Sequence, residues 1–179
     1  MKAVLASSLA AGLIFGMVTA PATPAMAQQH LTAQILTDVC LPYANRAKSF
    51  EKAIRAARDL EFRRPANERG QALDEYASEV NLVSRDGTWR VRLEEGSVAV
   101  GEVEVYAVTC TLSSTRASAR ELAELGRRAF RNEQYWTTDQ TAPNQWDRRV
   151  RNPDERRLEV RVVEDNGQRP ALTIRGLYF

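Results

Sequence analysis

The sequence is poor in the residues that most enzymes and metal proteins use at their reactive centres. It has one histidine, His30, and two cysteines, Cys40 and Cys110. Histidine is the usual proton carrier near neutral pH, so a single copy near the N-terminus argues against a Ser-His-Asp or Cys-His arrangement. Zinc sites draw on the same two residue types. We therefore expect no metal ion, no cofactor and no catalytic residue of these classes.

Phosphate-binding and calcium-binding sequence patterns are also missing. The nine glycines form neither G-x-G-x-x-G nor G-x-x-x-x-G-K, the patterns that place backbone amides around phosphates. No Asp-x-Asx-x-Asx-Gly loop occurs to supply calcium ligands. The formal net charge is only +2, which provides no strong positive field, so nucleic acid is not an expected partner.

The first 27 residues have the three-part pattern of a secretory signal peptide. Lys2 precedes an uncharged apolar stretch, residues 4–20, and an Ala-Met-Ala sequence ends at Ala27. The apolar stretch is diluted by small residues and has no basic stop after it, which favours cleavage over a membrane anchor. We expect a cut after Ala27, a single domain over residues 28–179, and a periplasmic or secreted location.

The mature chain keeps both cysteines and has no second apolar run that approaches a membrane span. Thiols of exported proteins are oxidised, and an even count favours a bridge. A Cys40–Cys110 disulfide would close a span of 70 residues, and chain entropy assigns it on the order of 4 kcal/mol. Two buried free thiols or a catalytic cysteine are the alternatives.

Three segments have the spacing of amphipathic helices. The first ends at Pro42 and carries Cys40 on its apolar side. The second follows Ser49, which is a suitable N-cap. The third follows a capping box formed by Ser118 and Glu121.

Two hairpins are predicted, and the first has a register that its turn defines. A two-residue Asp86-Gly87 turn pairs Leu82 with Val91, which places apolar residues opposite each other on one face.

For the last hairpin, a two-residue Asn166-Gly167 turn would mix the faces. A three-residue loop, residues 165–167, pairs Val160 with Leu172 and keeps apolar residues together. We therefore predict the three-residue loop, with a bulge at Gly167.

Between the hairpins, residues 97–114 alternate apolar and polar, and the apolar residues switch between even and odd positions twice. A bulge or a turn near Gly101 explains the first change, and burial on both faces explains the second. Cys110 lies on the apolar parity of the last stretch, so we expect the first helix to dock there.

The order of elements predicts an α+β domain, with a mainly antiparallel sheet and helices packed on one face. The opposite face is expected to be wet, because charged residues occupy alternate strand positions. They are Arg90, Arg92, Glu102, Glu104, Arg157, Glu159 and Arg161.

Residues 132–156 show no periodicity and hold the best candidate for a binding site. Its members are Tyr135, Trp136, Trp146, Arg148, Arg149 and Arg151. The rings can stack on sugars while the arginines hold carboxylates or phosphates. The alternative, which we favour, is that the tryptophans are buried and brace a long loop.

The sequence thus predicts a non-catalytic binding protein of the cell envelope, an assembly factor or inhibitor whose partner is an envelope protein or a cell-wall component. A carbohydrate- or peptidoglycan-binding module that uses residues 135–151 is the first alternative. A hydrolase that uses only carboxylates, with Asp139 and Asp147 as its acids, is the second.

Overall fold

The helical patterns correspond to three helices in the structure, a computed structural model that describes residues 31–68, 78–130, 136–138, 144–148, 155–163 and 169–179. Helix α1 comprises residues 31–44, α2 is Phe50–Asp59 and α3 is Ala119–Ala129. The predicted signal peptide and His30 lie outside the described residues, so the cleavage site and the domain boundaries stay predictions. In the described ranges, no helix combines the length and the apolar character that crossing a membrane requires.

Within the ranges just given, the strands form one antiparallel sheet of seven. They are β1 Glu79–Val83, β2 Trp89–Val100, β3 Val103–Ser114, β4 Trp136–Thr138, β5 Gln145–Arg148, β6 Arg156–Val163 and β7 Ala171–Tyr178. Their order across the sheet is β1-β2-β3-β7-β6-β5-β4. All three helices contribute to a single core with one face of this sheet, through residues such as Ile35, Ile54 and Leu122. The predicted α+β architecture is confirmed.

Helix α1 continues past the proline that was expected to end it. Its centre, Ile35–Cys40, is a π-helical turn, and Leu41–Ala44 completes the helix. Pro42 therefore lies in the first turn of the final α-helical segment, where a missing N–H is tolerated. The carbonyl of Asp38 accepts a hydrogen bond from Nζ of Lys48. The predicted end at Pro42 is wrong because a π-helical turn ends just before it, so that Pro42 falls at the start of a new α-helical segment.

Both predicted N-caps are confirmed. The Oγ of Ser49 accepts from the backbone N–H of Lys52 at 3.5 Å. The Oγ of Ser118 accepts from the N–H of Glu121 at 3.3 Å, and the Glu121 carboxylate accepts from the N–H of Ser118 at 2.8 Å. This reciprocal pair satisfies two backbone donors that the helix itself leaves unpaired.

The predicted disulfide is present and joins α1 to the centre of β3. Cys40 and Cys110 are both fully buried, and their Cα atoms lie 5.2 Å apart. The two cysteines are 70 residues apart in sequence. The first helix therefore docks where the apolar parity of β3 predicted.

The first hairpin has the predicted register, with Leu82 opposite Val91. Its turn differs from the predicted one. The Ser84 carbonyl accepts from the N–H of Gly87 at 2.9 Å, and Gly87 alone in the turn has a positive φ, 72°. The carboxylate of Asp86 stabilises the turn, because it accepts hydrogen bonds from the Ser84 hydroxyl at 2.5 Å and from the Thr88 N–H at 3.1 Å.

The register predicted for the last hairpin is wrong by two residues. Val160 lies opposite Ile174, and Leu158 lies opposite Gly176. The predicted loop and its bulge at Gly167 lie outside the described residues. A shift of two leaves every side chain on its predicted face, so the apolar pattern cannot detect it. The structure selects this register through β3, where Cys110 also pairs with Ile174.

Strands β2 and β3 form one long hairpin whose turn is at Gly101, as expected. Val100 pairs with Val103, so the connection consists of Gly101 and Glu102. Gly101 has a φ of 64°, and a glycine with positive φ at the first central position is typical of a type II′ turn. The second parity change marks two-sided burial, since Ala107 and Val108 are both buried.

The 25-residue loop expected over residues 132–156 is interrupted by two short strands. Trp136 pairs with Arg148, and Thr138 pairs with Trp146. Strand β5 also pairs with β6, which places this hairpin at one edge of the sheet. Strands of three and four residues are too short for a period of two to be recognised in sequence.

The face opposite the helices is wet only in part, because Val105, Ala107 and Leu177 form a buried apolar cluster on it. Of the seven charged residues named above, Glu102 lies in a turn and Glu104 is on the helix side of the sheet. The arginines at positions 90, 92, 157 and 161 are exposed on the opposite face, whereas Glu159 is buried there. Its carboxylate lies 2.7 Å from the guanidinium of Arg161 and 3.7 Å from that of Arg175. The two guanidinium groups offset the cost of burying the Glu159 carboxylate.

Candidate functional site

Trp146, a member of the candidate site in residues 135–151, has its indole in the core. It is 5% exposed. Gly126 of α3 leaves the space for it, because a β-carbon at Gly126 would lie 3.5 Å from the indole and 3.0 Å from Leu172. In this position the indole supports the helix-to-sheet contact and offers no face for a sugar.

The other members of that site are only partly described. Arg148 is half-buried and lies two residues beyond Trp146 on the same face of β5. The backbone of Trp136 pairs with that of Arg148. Tyr135, Arg149 and Arg151 lie outside the described residues, as does Asp139. Asp147, the second predicted acid, is exposed.

Metal binding finds no support in the part of the chain that the structure covers. No group of three or more His, Cys, Asp or Glu side chains there is placed to hold an ion. Both cysteines are in the disulfide. The described residues thus present no set of metal ligands.

A cleft of about 290 Å³ lies beside the first turn of α3. Its two acids, Glu121 and Glu124, already have partners. Glu121 closes the capping box with Ser118, and Glu124 lies 3.4 Å from Arg128 and 3.7 Å from Arg120. We attribute these charges to helix stabilisation rather than to substrate chemistry.

The feature that sequence reasoning missed is the projection of the β2–β3 hairpin beyond the neighbouring strands that the structure describes. Among the described residues, β1 pairs with β2 as far as Glu94, and a further backbone bond runs from the Glu95 N–H to the Ser78 carbonyl at 2.8 Å. On the other side, β7 pairs with β3 only from Tyr106 onward. Residues 96–105, here called the arm, therefore extend as a two-stranded ribbon in the described structure.

One face of the arm is made of valines. Val98 pairs with Val105 and Val100 with Val103, all on the sheet face opposite the helices. Val105 joins Ala107 and Leu177 in a small second cluster, and Val98 and Val100 pack half-buried against it. Val103 is 57% exposed at the tip. The valine face is thus continuous from a buried cluster to an exposed end.

A shallow depression lies at the base of this face. Its volume is about 120 Å³, and it is lined by Glu94, Gly96, Ser97, Val98, Ala107, Thr109 and Arg175. A β-carbon at Gly96 would meet no atom within 4 Å. The depression exists because small residues face outward at this level of the sheet.

The arm is acidic, whereas Arg46 and Arg175 approach its base. Residues 93–115 contain four glutamates, at positions 94, 95, 102 and 104, and no lysine or arginine. Glu94 lies 3.3 Å from Arg92. Glu102 and Glu104 are exposed and make no ion pair with any described residue.

Aromatic residues fasten the base of the arm to α1. The guanidinium of Arg46 lies 5.4 Å from the ring centre of Tyr106 and 5.3 Å from that of Tyr178, within cation–π distance of both. The hydroxyl of Tyr178 donates to the Ala44 carbonyl at 2.7 Å. These contacts connect the end of α1 with the strand pair from which the arm projects.

Tyr43 completes this cluster from below. It is 1% exposed, and its hydroxyl has no hydrogen-bond partner among the described residues. Burial and the negative charge of Glu95 raise the pKa of Tyr43 above its ordinary value, and the same two causes raise the pKa of Tyr106. Both phenols therefore stay neutral at physiological pH, and the base of the arm carries no tyrosinate charge.

The valines of the arm were recognised in the sequence, but as ordinary strand residues. Their significance depends on where β1 and β7 end, which is a property of the assembled sheet. The local sequence signal for the arm is that residues 93–115 contain alternating apolar positions and glutamates, with no lysine or arginine.

Comparison with protein-family models, with curated protein sequences and with solved structures finds no match to this chain. The fold and the site geometry are therefore the basis of the functional proposal.

Proposed function

We propose that this chain is an exported, non-catalytic protein-interaction module that binds its partner through the arm. The observation that carries the proposal is the continuous valine face, which begins in a buried cluster and ends at the exposed Val103. Exposed apolar surface of this kind is typical of protein contacts. The aromatic fastening at the base supports the proposal, because a preorganised surface loses less entropy on binding.

The proposed location rests on the signal-peptide pattern and on the disulfide. A buried disulfide between distant segments suits an oxidising compartment. We therefore propose a periplasmic or secreted protein whose partner is another protein of the envelope.

The two alternatives have less support. A sugar-binding surface would lose one of its two tryptophans, because the indole of Trp146 is in the core. A hydrolase that uses Asp147 would require a second acid across a substrate, and the proposed one, Asp139, lies outside the described residues. Neither alternative gains an independent observation.

A position-dependent crosslinking experiment in the native host tests the proposal. A photo-crosslinking residue replaces Val103, and in the control it replaces Arg85, whose side chain is 83% exposed in the turn at the opposite end of β2. We expect a discrete adduct with one exported protein, identified by mass spectrometry, from position 103 and not from position 85. The variant Val98→Asp should abolish the adduct, and a thermal melt establishes that this variant is still folded under the conditions of the experiment.

Two results would overturn the proposal. Equal adducts from both positions, or none from position 103, would remove the arm as a binding surface. Release of sugars from cell-wall material by the purified protein, with loss of that release in Asp147→Asn, would show that the protein is an enzyme.

A further inference from the structure

We infer that the binding surface extends from the arm onto β7 and β6, and that Arg157, which is stacked on Phe179, receives a carboxylate of the partner protein. Because this contact belongs to the same surface as the valine face, the inference rests on the proposed function. Arg157 and Phe179 lie outside the arm, so the two claims can be tested separately.

Phe179 lies on the same face of the sheet as the valines. The described ladder between β3 and β7 ends at the pair Tyr106–Tyr178, so Phe179, one residue further along, falls in the row of Val105. The Phe179 N–H donates to the Glu155 carbonyl at 2.9 Å, which keeps Phe179 in line with β7. Its side chain is 47% exposed. An aromatic ring therefore continues the apolar surface beyond the arm.

Arg157 borders this surface on the β6 side. Its backbone pairs with that of Leu177, which belongs to the buried cluster at the inner end of the valine face. Its guanidinium lies 5.1 Å from the centre of the Phe179 ring, within cation–π distance. A planar guanidinium held against a ring loses less side-chain freedom on binding than a free one. Arg157 is thus a positioned cation at the edge of the apolar face.

The positive charge of Arg157 has no counter-ion in the part of the chain that the structure describes. The side chain is exposed and forms no ion pair with a described residue. Glu159, two residues along on the same face, already lies 2.7 Å from Arg161 and 3.7 Å from Arg175. The guanidinium fork matches a carboxylate through two parallel hydrogen bonds. Because the adjoining valine face is proposed to bind a protein, we assign this carboxylate to an aspartate or glutamate of that protein.

The resulting surface is wider than the arm. Val98, Val105 and Phe179 lie on three neighbouring strands, and Arg157 lies on a fourth. At about 4.8 Å between strands, the four residues span roughly 14 Å. Binding energy at protein interfaces is concentrated where aromatic and arginine side chains adjoin an apolar centre. The partner surface that fits is therefore apolar, with an acidic residue on the side that faces β6.

Crosslinking in the native host locates the contact. An aromatic photo-crosslinking residue at position 179 should form an adduct with the same exported protein as position 103. Position 90 is the matched control and should give no adduct, because Arg90 is exposed on the same face at the far end of β2, where it pairs with Ser113. Fragmentation of the position-179 adduct identifies the crosslinked partner peptide, which should contain or adjoin an aspartate or glutamate.

Charge substitution tests the role of Arg157. The probe is the purified partner identified by the position-103 adduct, and its affinity should fall by about tenfold or more for Arg157→Glu. Arg157→Lys should lose less, because it keeps the charge without the fork. Arg90→Glu should bind like the unaltered protein, since it makes the same charge change outside the surface. Thermal melts establish that all three variants are folded.

A compensating exchange provides the strictest test. When the acidic residue of the partner is replaced by arginine, binding to Arg157→Glu should recover, while binding to the unaltered protein should weaken. A structural role for Arg157 within this chain would not produce this recovery, because it does not depend on the charge of the partner.

Four results would refute the contact. They are no adduct from position 179, equal affinities for Arg157→Glu and Arg90→Glu, no recovery on charge exchange, and an adduct that consists of two copies of this chain. If Val98→Asp abolishes the adduct from position 103 while Arg157→Glu binds as tightly as the unaltered protein, the inference fails and the proposed function stands. If the position-103 adduct is absent, the proposed function fails and the inference fails with it.

Discussion

Gly176 in β7 lies directly against the carbonyl oxygen of Ala44 at the end of α1. A β-carbon at Gly176 would be 2.0 Å from that oxygen, a distance that no real side chain adopts. The neighbouring Tyr178 donates its hydroxyl to the same carbonyl at 2.7 Å. One backbone oxygen thus receives both a close approach of the β7 backbone and a hydrogen bond, and it positions α1 over the sheet beside the base of the arm.

The first prediction concerns this contact. Gly176→Ala must displace α1 or bend β7, so we expect it to lower the free energy of unfolding by about 3 kcal/mol. Gly96→Ala is the matched control, since its β-carbon would meet nothing within 4 Å, and it should be neutral or slightly stabilising. Urea denaturation measures both. Equal midpoints for the two variants would contradict the contact.

The second prediction concerns the disulfide. Replacing Cys40 and Cys110 together by alanine should cost about 4 kcal/mol, because the bridge closes a 70-residue span in the unfolded chain. Reductant should lower the stability of the unaltered protein toward the same value and should leave the double variant unchanged. A reductant-independent midpoint for the unaltered protein would show that the bridge is not formed.

The third prediction concerns pH. Hydrogen bonds from Ser84 and Thr88 lower the pKa of Asp86 to about 2, below the roughly 3.9 of an unfolded chain. The stabilisation is therefore complete above about pH 5 and is lost as pH falls toward 2. Asp86→Ala should cost about 1 kcal/mol at pH 7, allowing for solvent exposure, and almost nothing at pH 2.

Asp86→Asn is the control for that experiment, because it keeps a carbonyl acceptor without the charge. It should show a smaller loss at pH 7 and little dependence on pH between 2 and 5. A loss in Asp86→Ala that is the same at both ends of this range would contradict a role for the carboxylate.

The fourth prediction decides between bracing and binding for the tryptophan in β5. Trp146→Ala should lower the free energy of unfolding by about 3–5 kcal/mol, because a large buried ring leaves a cavity, and Trp146→Phe should cost less. Thermal melts measure this alongside binding to isolated cell envelope. Unchanged stability together with lost binding would favour the original candidate site at residues 135–151.

Local patterns accounted for much of the fold. The caps at Ser49 and Ser118 were predictable because a side chain accepts from an N–H only three residues away. The register of the first hairpin was predictable because apolar residues must lie opposite each other on one face, although its turn was not predicted correctly. The disulfide followed from an even cysteine count in a chain with the pattern of an exported protein.

The candidate site was less predictable. Trp146 is buried, as the bracing interpretation requires, but the strand that carries it was not recognised. The arm was overlooked because its valines have the same alternation as any strand, and nothing at those positions indicates that the neighbouring strands stop short.

The sequence by itself determined the elements whose signals lie within a few residues: three helices, the register of the first hairpin, the turn near Gly101, and which face of each strand is apolar. Tertiary structure alone decided the pairing of β6 with β7, the continuation of α1 through Pro42 and the projection of the arm. For the strands, an apolar pattern with a period of two is unchanged by a shift of two residues, so the pattern cannot choose the register. Only contacts between distant segments, such as Gly176 against Ala44, distinguish among the registers and lengths that the pattern allows.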